Sequence, residues 1–183
     1  MSTFMFKTAP IALLLLATAG TAHAANNAQI TITANVVAAT CDVSLSTNNL
    51  DLGNFTPSQF TTVAVPVTAS VKKFTVGINN CETPKAASDT ASLVVSGQTL
   101  GGNTNMFNST GTNTGIMLSQ TATPSTYIKN GDKILLATAA SSEPSAADLN
   151  GKTLSLQAGL ASTSSTADIG TVNAPVLFSF AYN

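Results

Sequence analysis

The chain has 183 residues, of which 44% are hydrophobic and 8% are charged, and its formal net charge at pH 7 is -1. Its seven basic residues are all lysines and are outnumbered by eight acidic ones, which excludes the basic patch that a nucleic-acid-binding protein needs. High hydrophobicity with low net charge also excludes an intrinsically disordered chain. The length predicts one domain, or one domain with a tail.

The N-terminus has the organisation of a secretory signal peptide, predicted to span residues 1–24. A lysine precedes an apolar run in residues 9–19, and the small residues that follow end in an A-x-A cleavage site at Ala24. A membrane anchor is the alternative, but the run is shorter than the ~20 apolar residues of a spanning helix. The mature chain is therefore predicted to comprise residues 25–183, with cleavage after Ala19 as the second candidate.

Little catalytic chemistry is open to the mature chain. Cleavage would remove His23, the only histidine, and the remaining chain lacks arginine and tryptophan. It cannot build a Ser-His-Asp or Cys-His arrangement, and two cysteines alone cannot form a four-thiolate zinc site. Asp132 and Asp148 are carboxylates of the kind that glycosidases use, but both lie in predicted turns. We predict that the protein is not an enzyme and has no metal site and no cofactor.

The two cysteines, Cys41 and Cys81, are predicted to form a disulfide. Export exposes them to an oxidising compartment, and their even number favours pairing. Two free buried thiols are the alternative. A redox-active pair is disfavoured because the spacing is unlike Cys-x-x-Cys.

Apolar and polar residues alternate through most of the mature chain, with the two-residue period of a half-buried strand. The β-branched and aromatic content of these runs also favours strands, and turn-forming clusters separate them. Eight or so such strands in one domain predict an all-β sandwich. The predicted strands are residues 29–33, 50–55, 62–68, 74–78, 92–96, 115–118, 134–136, 154–160 and 176–183.

Two segments between the strands are predicted to be irregular. Residues 99–114 are rich in Gly, Asn and Thr and are expected to form a long exposed loop. Within it, Asn108-Ser109-Thr110 matches the glycosylation sequon, a short pattern that chance explains in a Thr-rich chain. Residues 141–149 are expected to form at most one helical turn, because Pro144 limits it.

Five features occur in a characteristic order along the mature chain. They are the stretch 36–43 around the first cysteine, the short run Leu50 to Phe55, the segment Lys73 to Cys81, Gly170, and the alternating end Val176 to Asn183 with an aromatic residue next to last. In this order and spacing the chain resembles the pilins of chaperone–usher fimbriae, in particular the type 1 fimbrial family of Gram-negative bacteria. The resemblance covers essentially the whole mature chain.

The resemblance implies an incomplete immunoglobulin-like sandwich that lacks its last strand and is completed by a donor strand from another chain. In that family a periplasmic chaperone lends a strand during transit, and the N-terminal extension of a neighbouring subunit replaces it in the fibre. The implied partners are the chaperone, the outer-membrane usher and other fimbrial subunits, in a homo- or hetero-polymer that supports adhesion. The implied location is a fimbrium on the cell surface, reached through the periplasm. The donor extension would be residues 25–35, with Ala28, Ile30 and Ile32 as its donor-strand residues.

The C-terminal strand carries a predicted interface. By the two-residue period its larger apolar side chains share one face, assigned to the core and the edge of the groove, while Leu177, Ser179 and Ala181 share the other. The resemblance also implies that this strand pairs with the chaperone, whose basic residues anchor the carboxylate of Asn183. The residues predicted to contact the chaperone or the groove are Val176, Phe178, Phe180 and Tyr182.

The length of the donor arm departs from the family pattern. If cleavage follows Ala24, only residues 25–28 precede the first alternating strand. Two explanations are open. Cleavage after Ala19 would restore five residues to the arm; otherwise the chain is a minor, adaptor or terminal subunit, or a small adhesive subunit that binds a host receptor, rather than a major shaft subunit. The adhesive alternative is the weaker one, because the chain has no tryptophan and two tyrosines, too few for a sugar-stacking surface.

Overall fold

The computed structural model describes residues 40–110 and 112–183. The predicted signal peptide, the predicted strand at residues 29–33 and the predicted donor residues Ala28, Ile30 and Ile32 lie outside these ranges. Within the two described ranges, no helix is both long and apolar enough to cross a membrane.

The described residues form ten strands, joined by turns and by three short 3-10 helices. The helices are Pro57–Gln59, Thr68–Ser70 and Ala146–Asp148. The strands are β1 (Asp42–Leu45), β2 (Lys72–Asn79), β3 (Thr90–Gly97), β4 (Thr99–Leu100), β5 (Asn103–Phe107), β6 (Thr114–Gln120), β7 (Thr123–Ile128), β8 (Lys133–Thr138), β9 (Thr153–Ser162) and β10 (Val176–Tyr182).

The strands are arranged in two antiparallel sheets. The larger sheet has the order β1-β2-β9-β6-β5-β4, with β7 also paired to β6, and the smaller has the order β10-β3-β8. Buried side chains from both sheets form one main core cluster, so the prediction of an all-β sandwich is confirmed. Fully buried members of this cluster are Val76, Ile78, Ala91, Leu93, Val95, Phe107, Leu149 and Leu156.

Six predicted strands are confirmed, and each places at least one face against buried side chains. They are the predictions that fall on β2, β3, β6, β8, β9 and β10. The single helical turn predicted in residues 141–149 is also confirmed, by the 3-10 helix Ala146–Asp148.

The predicted disulfide is confirmed. Cys41 and Cys81 are bonded, with an S–S distance of 2.09 Å. The bond joins the residue before β1 to the chain just after β2, and these two strands are neighbours in the larger sheet. It therefore fixes the start of β1, the edge strand of that sheet, to the interior of the domain.

The prediction of a strand at residues 50–55 is wrong. Their alternation is real, since Leu50 and Leu52 are half-buried and Asp51 is exposed, but no neighbouring strand pairs with them among the described residues. The Asp51 carboxylate instead accepts a hydrogen bond of 2.9 Å from the backbone N–H of Gly53, which has a φ of 101°. Such local bonds and a left-handed residue compete with a β ladder.

The prediction of a strand at residues 62–68 is also wrong. The segment contacts β9 through only two backbone hydrogen bonds of 2.8 Å, from Ala64 N–H to the Ser162 carbonyl and from Val67 N–H to the Leu160 carbonyl. Between them Pro66 has no N–H to donate, and Ala64 has a φ of 56°, which no regular strand accommodates.

The expectation of a long exposed loop at residues 99–114 is wrong as well. The segment contains β4 and β5, which pair as a hairpin through a turn at Gly102 with a φ of 81°. Met106 and Phe107 are fully buried. The polar residues of β5 concealed this strand, and the polar, exposed residues of β7 concealed another.

Gly97 ends β3 where the chain that leads into β10 passes closely. A Cβ atom at Gly97 would lie 2.8 Å from the Pro175 carbonyl oxygen and 3.0 Å from the Phe107 ring. Because neither the backbone nor a buried ring can move aside freely, we expect Gly97→Ala to lower the free energy of unfolding by about 1–3 kcal/mol in chemical denaturation. Gly101→Ala is the control, since its Cβ would meet nothing within 4 Å. Equal stability of the two variants would contradict this account of Gly97.

Candidate functional site

A groove of about 1380 Å³ opens between two irregular segments of the chain. Residues 45–57, which begin at the end of β1, form one wall, and residues 167–178, which lead into β10, form the other. The floor is apolar and comes largely from the larger sheet, through Phe74, Ile116, Leu118 and Leu160. Most of these side chains also contact the main core cluster, so the groove is an opening into the sandwich core.

The first wall presents apolar side chains without closing the groove. Leu50 and Leu52 pack against the core cluster, and Phe55 is half-buried further along the same wall. The register of β1 with β2 ends at Leu45 and Val76, and one further backbone hydrogen bond of 3.0 Å, from the Ser46 N–H to the Thr75 carbonyl, follows it; from Thr47 onward the segment has no backbone pairing with β2. The wall is therefore held by side-chain packing rather than by a β ladder.

The second wall is an open strand edge. Within the described residues β10 has a neighbouring strand, β3, on one side only. Just past its end, Asn183 and Thr90 exchange two backbone hydrogen bonds, of 2.8 and 3.0 Å. Bonded and non-bonded pairs alternate in an antiparallel ladder, so the odd-numbered residues of β10 bond to β3. The backbone N–H and C=O groups that point away from β3 are those of Val176, Phe178, Phe180 and Tyr182.

The side chains of these same four residues turn into the sandwich. Phe178 is 9% exposed, and its ring meets that of Phe74 edge-on, with 6.0 Å between ring centroids. Val176, Phe180 and Tyr182 are half-buried against the core cluster. On the opposite face, Leu177 is 62% exposed. The edge strand thus combines unpaired backbone groups with a row of inward apolar side chains.

Tyr182 fastens the C-terminal end of β10 to the loop before β3. Its hydroxyl donates a hydrogen bond to the Asp89 carboxylate and accepts one of 3.1 Å from the backbone N–H of Lys85. The bond from Tyr182 lowers the pKa of Asp89, and burial together with the bond to Asp89 raises the pKa of Tyr182. The carboxylate is therefore ionised and the phenol neutral at pH 7, which is the pair of states that the bond requires.

The two carboxylates considered for catalysis have structural hydrogen bonds. Asp148 accepts bonds from the backbone N–H groups of Ser145 at 2.9 Å and Ala140 at 3.1 Å, and these bonds lower its pKa. Asp132 accepts a bond of 2.8 Å from the backbone N–H of Lys129 across its own turn. In the part of the chain that the structure describes, no three His, Cys, Asp or Glu residues are grouped so as to hold a metal ion.

The structure places the four predicted residues of the C-terminal strand on the inward face of β10, and two of them, Val176 and Phe178, line the groove. The predicted donor residues lie outside the described ranges. Sequence reasoning did not identify the other wall, residues 45–57, or the continuation of the second wall, residues 167–175. The alternation at Leu50 and Leu52 was the available signal for the first, but it was interpreted as a paired strand.

Comparison with known proteins identifies the family of this chain. The fimbrial protein family matches residues 28–183 of the chain. The chain belongs to the fimbrial protein family. A search of the curated proteins found no match. The crystal structure of the P pilus rod subunit PapA is similar, with a TM-score of 0.53 and 18% sequence identity, over 85% of this chain and 99% of that chain.

The family and the fold agree with the resemblance seen in the sequence. This fimbrial protein has the immunoglobulin-like sandwich of a pilin, and it is a structural protein rather than an enzyme. Its partners are other fimbrial subunits, and its place is a pilus at the cell surface.

Proposed function

We propose that this fimbrial subunit polymerises by accepting a β-strand from another subunit into the groove beside β10. The observation that carries the proposal is the open edge of β10 next to an apolar groove that reaches the core. An unpaired edge exposes backbone donors and acceptors and is an aggregation hazard unless a strand covers it. A strand added in trans would satisfy those groups, and its alternate side chains would fill the groove.

The donor in this proposal is the N-terminal extension of a neighbouring copy or a related subunit, residues 25–35 in this chain. Ala28, Ile30 and Ile32 are spaced by two residues, so in an extended strand they face the same way and would enter the groove together. Removal of residues 1–24 as a signal peptide would free this extension. Export through the periplasm follows from the same proposal.

A periplasmic chaperone would occupy the groove before assembly, and an outer-membrane usher would exchange it for the next subunit. The need for a chaperone is supported by the floor of the groove, where Phe74, Ile116 and Leu160 are only partly buried. The same fibre would support adhesion. The short arm before Ile30 favours a minor, adaptor or terminal position in the fibre as the second proposal.

The experiment that tests polymerisation compares two substitutions in the donor segment. We expect mature wild-type subunit to form oligomers that survive detergent in gel electrophoresis and dissociate on boiling. Ile30→Asp should abolish them, because a charge would enter the apolar groove. Thr31→Asp, one residue along and on the opposite face of the strand, should form oligomers at close to the wild-type level. Loss of oligomers in both variants, or in neither, would refute the donor assignment.

A further inference from the structure

The edge of β10 continues towards the N-terminus beyond its first residue. From residue 171 to residue 178, exposed and inward side chains alternate, which is the period of an extended chain. The exposed residues are Thr171, Asn173, Pro175 and Leu177, the half-buried ones are Val172, Ala174 and Val176, and Phe178 is buried. Residues 171–175 therefore have the side-chain arrangement of a strand, although they belong to none.

The Asn108-Ser109-Thr110 turn supplies the hydrogen bonds that a neighbouring strand would otherwise give to this segment. The Asn173 carbonyl oxygen accepts bonds from the Ser109 backbone N–H at 2.8 Å and the Ser109 hydroxyl at 2.9 Å. The Thr171 carbonyl oxygen accepts a bond of 2.7 Å from the Thr110 hydroxyl. Two alternate carbonyls of the segment are thus directed towards the turn.

The buried side chain of Asn108 stabilises this turn. It is 2% exposed, and its side-chain carbonyl accepts a hydrogen bond of 2.6 Å from the Thr110 N–H. Its side-chain amide donates to the Thr112 hydroxyl at 2.9 Å, and its backbone N–H donates to the Gln98 carbonyl at 3.0 Å. A buried and fully bonded amide is a structural residue, so the match to the glycosylation sequon reflects a turn rather than an acceptor site.

The backbone of the intervening residues faces the other way. In an extended chain successive residues direct their N–H and C=O groups to opposite sides, so Val172 and Ala174 face away from the Ser109 turn. Within residues 40–110 and 112–183, neither Val172 nor Ala174 makes a backbone hydrogen bond. Their unpaired groups therefore continue the row formed by the even-numbered residues of β10.

We propose that Ser109 and Thr110 are positioning residues that extend the strand-accepting edge from the seven residues of β10 to residues 171–182. The inference rests on the proposed function, because it assumes that a strand enters the groove. It adds five residues, or about 16 Å at ~3.3 Å per residue, to the length along which that strand pairs. The full edge of twelve residues can pair with all eleven residues of the donor extension 25–35, whereas the seven residues of β10 alone can pair with only seven of them.

The test is amide hydrogen exchange, followed by NMR, of isotope-labelled mature subunit with and without an excess of an unlabelled peptide of residues 25–35. On adding the peptide we expect protection of the amides of Val172 and Ala174 as well as those of Phe178 and Phe180. In the double variant Ser109→Ala/Thr110→Val, protection at Val172 and Ala174 should fall by about tenfold or more, because two hydrogen bonds to the segment are lost. Protection at Phe178 and Phe180 should be retained.

Two variants serve as controls. Thr121→Val removes a hydroxyl that bonds a backbone carbonyl in a turn remote from this edge, and it should leave the whole protection pattern unchanged. Thr110→Ser keeps the hydroxyl and should retain protection at Val172 and Ala174 at close to the wild-type level. If the double variant does not fold, which loss of protection at the core residue Leu156 would reveal, Ser109→Ala alone takes its place, with a smaller loss expected at Ala174.

The outcomes separate this inference from the proposed function. Protection of Phe178 and Phe180 without Val172 and Ala174 in the wild type would overturn the extended edge and leave strand acceptance standing. Unchanged protection in the double variant would overturn the positioning role of Ser109 and Thr110. Absence of protection along the whole edge would overturn the proposed function, and the inference with it.

Discussion

Phe180→Asp is expected to abolish fibre assembly and to leave little subunit in the periplasm. Phe180 is half-buried against the core cluster, and its ring lies 6.3 Å from that of Tyr182, measured between centroids. Loss of its partial burial removes about 1–2 kcal/mol of stability. The carboxylate would also place an unpaired charge in the strand edge that an incoming strand must cover. Subunit that cannot be covered stays exposed to aggregation and proteolysis.

Two variants make this prediction specific to the inward face. Ser179→Asp introduces the same charge one residue away, on the face that carries the exposed Leu177, and should assemble at a level close to wild type. Phe180→Leu keeps an apolar side chain on the inward face and should assemble in part. Fibre yield and periplasmic subunit level, measured by immunoblot, check all three. Equal yields for Phe180→Asp and Ser179→Asp would show that the open edge of β10 is not where a strand is added.

Replacing both cysteines, in Cys41→Ser/Cys81→Ser, is expected to lower the free energy of unfolding by about 4 kcal/mol. The bond closes a loop with a sequence separation of 40, and the loss of that cross-link enlarges the conformational freedom of the unfolded chain. It also releases the start of β1, from which the first wall of the groove continues at Leu45. The variant should therefore accept a strand less well even where it folds.

Urea denaturation of the mature subunit measures the first effect, and wild-type protein in reductant is the matched comparison. The reduced wild type and the double variant should have the same unfolding midpoint, well below that of the oxidised protein. A decrease of less than about 1 kcal/mol would mean that the 40-residue loop is ordered in the unfolded state or that the bond is strained.

Five of the six strands that the sequence predicted correctly share one property. β2, β3, β8, β9 and β10 each have one face in the core, and burial of alternate residues is the physical origin of the two-residue pattern. β6 is buried on both faces, with Leu118 in the main core and Met117 in a second cluster, and its continuous apolar run reflects this. The sequence did not reveal β5 and β7, because most of their residues are polar and only their last one or two side chains are buried. A pattern of burial cannot identify a strand that is held mainly by its backbone pairing.

Two segments that were predicted to be strands are not strands, and the cause is related. Residues 50–55 and 62–68 alternate as strands do, yet in the part of the chain that the structure describes neither is paired in a β ladder. Whether an alternating segment is a strand depends on a second segment that offers hydrogen bonds in register, and a single run of residues holds no information about that partner. At Ala64 and Gly53 the backbone adopts positive φ values that end any such pairing.

By itself the sequence determined the sandwich class, the disulfide, the inward face of the C-terminal strand and the resemblance to pilins, because composition, cysteine count and two-residue periodicity are local properties of the chain. Only the tertiary structure decided where the sandwich is open. The groove depends on the absence, within residues 40–110 and 112–183, of a second strand beside β10, and on a wall at residues 45–57 that is held mainly by side-chain packing. Its second wall depends on hydroxyls of Ser109 and Thr110 that lie about sixty residues from the carbonyls they bind. Such features arise from contacts between segments that are distant in the sequence, so they form only when the chain folds.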